Sequence, residues 1–242
     1  MTAANQIRVF QTAEHACGYW PERRARDIVL DPDSRALPHV YPVALAQGFR
    51  RSGGHVYRPQ CATCMACVPV RIDVQAFRPN RNQRRCNQRN TDLVAAEVAP
   101  DRAPALFDLY RRYLASRHPK GGMDDPRPED FDAFLKATWS PTRFLTLSDA
   151  SQLVAVAVTD VLQNGMSAVY TFYDPNAARR SLGTYCVLRQ IDWARRLGLP
   201  HLYLGFWLQG HPKMDYKRGF SGLEQLRNGD WQPLAPTNIE AS

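Results

Sequence analysis

Apolar positions change rhythm near residue 95. Before it they are scattered among prolines, glycines and arginines, and only three stretches keep a period. PHVYPVALAQG (38–48) predicts a helix, while HVYR (55–58) and VPVRIDV (68–74) predict short strands. Beyond it the patterns are regular. APALFDLYRRYLAS (103–116) places Leu106, Leu109, Tyr110, Tyr113 and Leu114 on one helical stripe. PEDFDAFLKAT (128–138) opens with proline in a first helical turn, followed by acids that suit the positive end of the helix dipole.

Alternation then takes over. RFLTLS (143–148), LVAVAVTDVL (153–162) and SAVYTFY (167–173) predict three strands of a meander. The last two are joined through Gln163-Asn164-Gly165, whose Asn-Gly pair supplies the positive φ of a tight hairpin. SLGTYCVLRQIDWARRL (181–197) predicts a helix stopped by Gly198, and HLYLGF (201–206) a buried strand. The order from residue 103 is helix, helix, three strands, helix, strand. It resembles the core of the N-acetyltransferase (GNAT) superfamily, where three antiparallel strands feed a helix and then a strand parallel to its neighbour. The expected fold is therefore α/β: a GNAT-like mixed sheet flanked by helices over 96–242, preceded by a smaller basic, cysteine-bearing lobe over 1–95.

Composition narrows the class. The 242 residues, 44 % hydrophobic, suffice for an ordinary core, and the 18 prolines punctuate the chain without forming a linker. No window reaches the roughly 18 apolar residues of a membrane span, and the first thirty residues lack a leader pattern. The expectation is a cytoplasmic protein with no membrane partner. In that compartment six cysteines read as thiols, metal ligands or catalytic groups before disulfides.

Charge placement adds a partner. Between Arg50 and Asn90 stand nine arginines, no lysine and one acid, Asp73, so the whole formal net charge of +8 resides there. Guanidinium groups bind phosphate oxygens in forked pairs, which makes the segment a footprint for a polyanion. In the GNAT superfamily the loop entering the helix after the fourth strand holds the coenzyme A pyrophosphate on its amides. Here that loop reads Arg180-Ser181-Leu182-Gly183-Thr184-Tyr185, with a bulky tyrosine where a small residue is usual. Such a side chain is expected to obstruct a pyrophosphate and to disfavour an acetyl-CoA donor. Aminoacyl-tRNA, an activated ester carried on a polyanion, suits both the loop and the arginines.

Longer motifs sharpen this. CGYWPERRARDIVLDPD (17–33), GFRRSGGHVYRPQCATCMACVPVRI (48–72), FRPNRNQRR (77–85), VYTFYDP (169–175), RSLGTYCVLRQIDWARRLGLPHLYLGFW (180–207) and KMDYKRGF (213–220) resemble the aminoacyl-tRNA protein transferases of the N-end rule pathway, in their bacterial aspartate/glutamate leucyltransferase branch. The resemblance runs to about residue 232. It implies transfer of leucine from leucyl-tRNA to proteins beginning with Asp or Glu, marking them for degradation, with no cofactor required for transfer and no DNA partner. Arginyl transfer within the family, a non-catalytic RNA-binding module with a cysteine metal site, and ordinary N-acetyl transfer are the alternatives.

Site roles follow from the matching motifs. Lys213, Met214, Tyr216, Lys217 and Phe220 fit a Lys-Met-x-Tyr-Lys-x-x-Phe pattern; the lysines would meet the tRNA 3′ end or an oxyanion, and Tyr216 would relay a proton, whereas Asp215 holds the pattern's free position. Tyr170, Tyr173 and Asp174 are expected at the end of the fourth strand, with Tyr173 catalytic, and Arg180 and Gly183 just beyond as tRNA contacts. Arg78, Arg81, Arg84, Arg85 and Arg89 are expected to take tRNA phosphate. Arg58 and Arg71 are the candidates for reading the acceptor's acid, since a guanidinium fork matches a carboxylate. His118, in RHPKGGMD, borders the site in this reading.

Cys61, Cys64 and Cys67 stand at three-residue steps, and Cys17 is the available fourth ligand for zinc or an iron–sulfur cluster. A metal-free structural turn and a redox switch are the other uses of those thiols. Cys86 and Cys186 lie outside the set, the latter in a helix core.

Overall fold

The computed structural model describes residues 6–117, 125–150 and 152–234. Its first part comprises β1 (Val9–Gln11), β2 (His15–Ala16), β3 (Arg24–Ala25), β4 (Asp27–Leu30), α1 (Leu37–Ala46), β5 (Arg50–Ser52) and β6 (His55–Pro59). Four of these strands form a small sheet in the order β1-β4-β6-β5, and β2 pairs with β3. Next come β7 (Val68–Asp73), α2 (Arg81–Arg89), β8 (Val94–Val98), α3 (Pro104–Arg117) and α4 (Pro128–Leu135). The chain continues through β9 (Thr142–Ser148), β10 (Leu153–Leu162), β11 (Gly165–Tyr173), α5 (Leu182–Arg196), β12 (His201–Trp207), β13 (Leu223–Arg227) and β14 (Asp230–Pro233).

The main sheet has eight strands in the order β14-β13-β7-β12-β11-β10-β9-β8. β9, β10 and β11 form the expected meander, and α5 crosses over to set β12 parallel to β11. This is the GNAT-like arrangement. β7, from the basic segment, lies between β13 and β12, so the boundary expected near residue 95 runs through this sheet instead of beside it.

Helices cover both faces, which explains the nearly unbroken apolar run of β10. Ala155 and Ala157 join the core under α5, with Cys86 of α2 and Cys186, while Val156 and Val158 pack beneath α3 and α4. On that second face the small sheet and α1 build a third core around Tyr41, Val56 and Tyr203.

One buried polar knot joins the two sheets. Asp160, at the end of β10, accepts from Arg51 Nε at 2.7 Å, Arg51 Nη2 at 2.8 Å, Tyr41 Oη at 2.9 Å and Thr142 Oγ1 at 2.7 Å. Arg51 is 0 % exposed and spends a further donor on the Gly53 carbonyl at 2.9 Å. With its charge paired and its acceptors filled, the knot holds β5 at a defined place over the main sheet.

α2 has no apolar period, so the sequence predicts no element there. Its two buried positions are Gln83 and Cys86. Caps and neighbours form it instead: Asn80 and Gln83 bond each other's main-chain N–H, and both side chains donate to the Gly219 carbonyl. Among the described residues no helix is long and apolar enough to cross a membrane.

Candidate active site

β11 and β12 pair only at Met166↔Leu202 and Ser167↔Tyr203, and then diverge. Each strand carries a bulge just past that point. The pairing of β10 with β11 skips Val169, and that of β7 with β12 skips Leu204. Divergence opens a cleft of about 2040 Å³, walled by the small sheet, the cysteine loop, the start of α5 and the 211–217 segment.

Arg50 fills the gap between the strands. Side chains alternate along β5, so while Arg51 turns into the Asp160 knot, Arg50 turns the other way. Its Nη2 donates to the carbonyl of bulge residue Val169 at 3.1 Å, and its guanidinium lies 5.8 Å from the Phe206 ring centroid. Gly205, at φ 73°, makes room: a Cβ there would stand 2.6 Å from Arg50 Nη1. Arg50 Nε is buried without a partner. The sequence reading counted Arg50 in the basic segment without assigning it a role.

Three groups of the 213–220 motif face the same place. Lys217, 4 % exposed, donates from Nζ to the Phe206 carbonyl. Burial, and then the charge of Arg50, holds its pKa well below the usual lysine value. Tyr216 turns 49 % of its surface outward, yet its hydroxyl is hemmed in by protein, which raises its pKa against the opposing pull of Arg50. Lys213 lines the cleft, and its main-chain N–H donates to His211 Nδ1 at 3.2 Å. With Nδ1 accepting, the ring proton on Nε2 goes to the Tyr19 carbonyl at 3.2 Å. Tyr19 and Trp20 pack edge-on against that ring, tying CGYW to the motif loop. Burial pushes the Tyr19 hydroxyl up to about 12. Neither His211 nor Tyr19 was singled out from sequence; a lone histidine in a loop carries no periodic signal.

At the far wall, Tyr173 stacks edge-on with Tyr113 at 5.0 Å and stands 3.5 Å from where a Gly183 side chain would begin. Tyr170 lines the same wall, its hydroxyl pushed far above the usual range by burial. Asp174 is structural, capping the turn Pro175–Arg180 through the Asn176 N–H and pairing with Arg112. Leu182, Gly183 and Thr184 at the start of α5 open onto the cleft. Tyr185 does not obstruct it as expected: one residue further round the helix, it is buried and donates to the Asn90 carbonyl at 3.1 Å. Phe220 is buried against Phe77, and Met214 lines the cleft.

The cations divide by partner. Arg71 is held by Glu224 at 2.6 Å and stacks on Trp231, outside the cleft lining. Arg58 reaches the rim, where it donates to the Gln47 carbonyl and stacks on Phe49. Arg180 is held by both oxygens of Asp92 at 2.9 and 2.8 Å. Arg78, Arg81, Arg84, Arg85 and Arg89 are exposed along α2 and its approach; the contacts of Arg78, Arg84 and Arg89 are to main-chain carbonyls, which leaves their charge available. His118 lies outside the described residues.

Cys17, Cys61, Cys64 and Cys67 all border the cleft as free thiols. Burial pushes Cys67 up to about 12, with the other three thiols adding to the effect, while main-chain and Arg23 donors lower Cys64. Among the described residues no group of three or more His, Cys, Asp or Glu side chains is arranged to hold a metal ion. The cleft thus offers amine, phenol, guanidinium and thiol groups. Cys186 is a buried core residue of α5, as expected.

A crossover helix feeding a parallel pair that splays over a cleft is the GNAT-like fold. Comparison with known families is specific: the model for the N terminus of arginine-tRNA-protein transferase matches residues 15–85, and that for its C terminus residues 105–227. The chain belongs to this family. It is 55 % identical over 233 residues to the aspartate/glutamate leucyltransferase of Stenotrophomonas maltophilia (strain K279a), covering 94 % of this chain and 93 % of that one. The enzyme of the same name from Xylella fastidiosa (strain 9a5c) is 51 % identical over 239 residues, at 96 % and 94 % coverage. That of Xanthomonas campestris pv. campestris (strain B100) is 55 % identical over 236 residues, at 95 % and 94 % coverage. Among solved structures, L-PGS from Bacillus licheniformis aligns with a TM-score of 0.44 and 12 % identity, over 74 % of this chain and 53 % of that one.

Proposed function

We propose that this protein transfers leucine from leucyl-tRNA to the α-amino group of proteins beginning with Asp or Glu, the cytoplasmic tagging step of the N-end rule degradation pathway. The carrying observation is the splayed cleft, with exposed arginines of α2 beside α5 on one face of the sheet and the small sheet on the other, in a chain 55 % identical to a leucyltransferase.

The α2 arginines suit the tRNA backbone, and the free amides at the start of α5 suit its terminal phosphate. The ester carbonyl then lies in the splay. The acceptor amine, with a pKa of about 8, attacks the carbonyl carbon; the nitrogen loses a proton, the C–O bond to the terminal ribose breaks, and that hydroxyl regains a proton. Lys217, its pKa held well below the usual lysine value, is suited to take the proton, and Tyr216, with its raised pKa, to hydrogen-bond the oxyanion as a donor.

The test is incubation with tRNA charged with radiolabelled leucine or arginine and with peptides starting in Asp, Glu, Lys or Ala. Label on the Asp and Glu peptides from leucyl-tRNA alone is expected. Label from arginyl-tRNA instead, or tight tRNA binding with no transfer, would overturn the reading.

A further inference from the structure

Leucyl transfer to acidic N-termini requires a cation that no carboxylate of the protein has already claimed. Of the two arginines expected to read the acceptor, Arg71 is paired with Glu224, and Arg58 sits at the rim on a carbonyl and a phenyl ring. Arg51 belongs to the Asp160 knot. Arg50 differs from all three. Among the described residues it takes no carboxylate; its one hydrogen bond is to a main-chain carbonyl, and the titratable side chains around it are the phenols of Tyr19, Tyr41, Tyr57 and Tyr216 and the amine of Lys217. Its Nε–H is buried and unpartnered, a donor free for a ligand.

Its position separates two anionic ligands. The arginine face of α2 and the start of α5 lie on the α5 side of the main sheet. Arg50 comes from the small sheet, which packs with α1 on the opposite side, and it enters the splay from there. A tRNA 3′ end held by α2 and α5 therefore reaches the reacting point from one face. The acceptor must approach from the other, past Arg50.

On this basis, and resting on the transfer activity proposed above, we propose that Arg50 is the specificity residue that binds the side-chain carboxylate of the acceptor's first residue. Its Nη2 stays on the Val169 carbonyl, which fixes the plane of the guanidinium. The remaining donors form the fork that a carboxylate fills with two charge-assisted hydrogen bonds. A neutral amide in that place leaves a donor facing a donor. The ring of Phe206 and the tyrosines exclude water, so the penalty for a wrong side chain is larger than at a surface.

The experiment compares wild type with Arg50→Gln, using leucyl-tRNA and peptides identical except for a first residue of Asp or Asn. Wild type is expected to favour Asp over Asn in kcat/KM. In Arg50→Gln that ratio is expected to fall by about 10²-fold, mainly through KM for the Asp peptide, while KM for leucyl-tRNA is unchanged. Should the glutamine variant fail to fold, Arg50→Met, which buries no unpaired polar group, reads the same ratio. Equal losses on both peptides, with the ratio intact, would overturn the assignment and make Arg50 a positioning or oxyanion group. A wild type that transfers nothing to the Asp peptide overturns the activity as well. A wild type that transfers, beside a variant with unchanged preference, overturns Arg50 alone.

Discussion

Replacing Asp160 by Asn removes one charge from a fully buried knot and almost no volume. Four donor groups converge on that carboxylate: Nε and Nη2 of Arg51, the Tyr41 hydroxyl and the Thr142 hydroxyl. An asparagine offers one acceptor oxygen and turns an N–H₂ toward the rest, so two donors lose their partner and the Arg51 guanidinium, 0 % exposed, is left uncompensated. Breaking one side of a buried pair costs about 3–5 kcal/mol. Against a total stability of about 5–15 kcal/mol this is a large fraction, and it corresponds to a fall in melting temperature on the order of 10 °C for a chain of this length. Urea unfolding followed by circular dichroism reads the change directly. The double variant Arg51→Met with Asp160→Leu, which removes both charges, should recover most of the loss. A single-variant loss below about 1 kcal/mol, or a double variant worse than the single, would refute the view that a paired charge anchors β5. Since Arg50 precedes Arg51 on that strand, Asp160→Asn should also weaken transfer to Asp peptides at temperatures where it remains folded.

Gly205→Ala forces a side chain at φ 73° and puts its Cβ 2.6 Å from Arg50 Nη1. A stability loss of about 1–2 kcal/mol in a thermal melt is expected from the backbone, with a fall of at least about 10-fold in transfer to Asp peptides because the guanidinium is displaced; full activity in a stable variant would contradict the packing described. Lys217→Met tests the depressed lysine. The unfolded chain keeps that proton up to a pKa of about 10.4, whereas the folded chain releases it well below, so in between the unfolded state holds more protons and wild-type stability rises with pH. Relative to Lys217→Met, wild type should therefore gain stability from neutral pH toward 10; a pH-independent difference between the two would show that Lys217 stays charged in the fold.

Elements with a strong internal period were legible before any coordinates. α3, α5 and β10 fall where the apolar pattern puts them, because burial of one stripe or both faces writes itself into consecutive residues, whereas the hairpin after β10 turns on Gln163-Asn164 without the positive φ expected of Asn164, Gly165 already pairing with Leu162. α2 and the edge strands β8 and β14 lack that pattern, because partners distant in the chain cap, cover or pair them. Within the site, the tyrosine and lysine motif and the start of α5 were legible as motifs. What Tyr185 does was not, since one step along a helix turns a side chain from the cleft into the core.

Arg50 and Arg51 show where sequence stops. By itself the chain determined a basic segment and a GNAT-like order of elements behind it, since both depend on local composition and period; no strand over those two residues is predicted from their sequence. Nothing local distinguishes one arginine from its neighbour. Only the tertiary structure decided that Arg51 meets Asp160, 109 positions away, and is neutralised, while Arg50 enters the gap between β11 and β12 with no acid to meet. The physical reason is alternation along the edge strand of the small sheet where it meets the main one: it sends adjacent side chains to opposite surroundings, one already carrying the counter-charge and the other open to a ligand that brings its own.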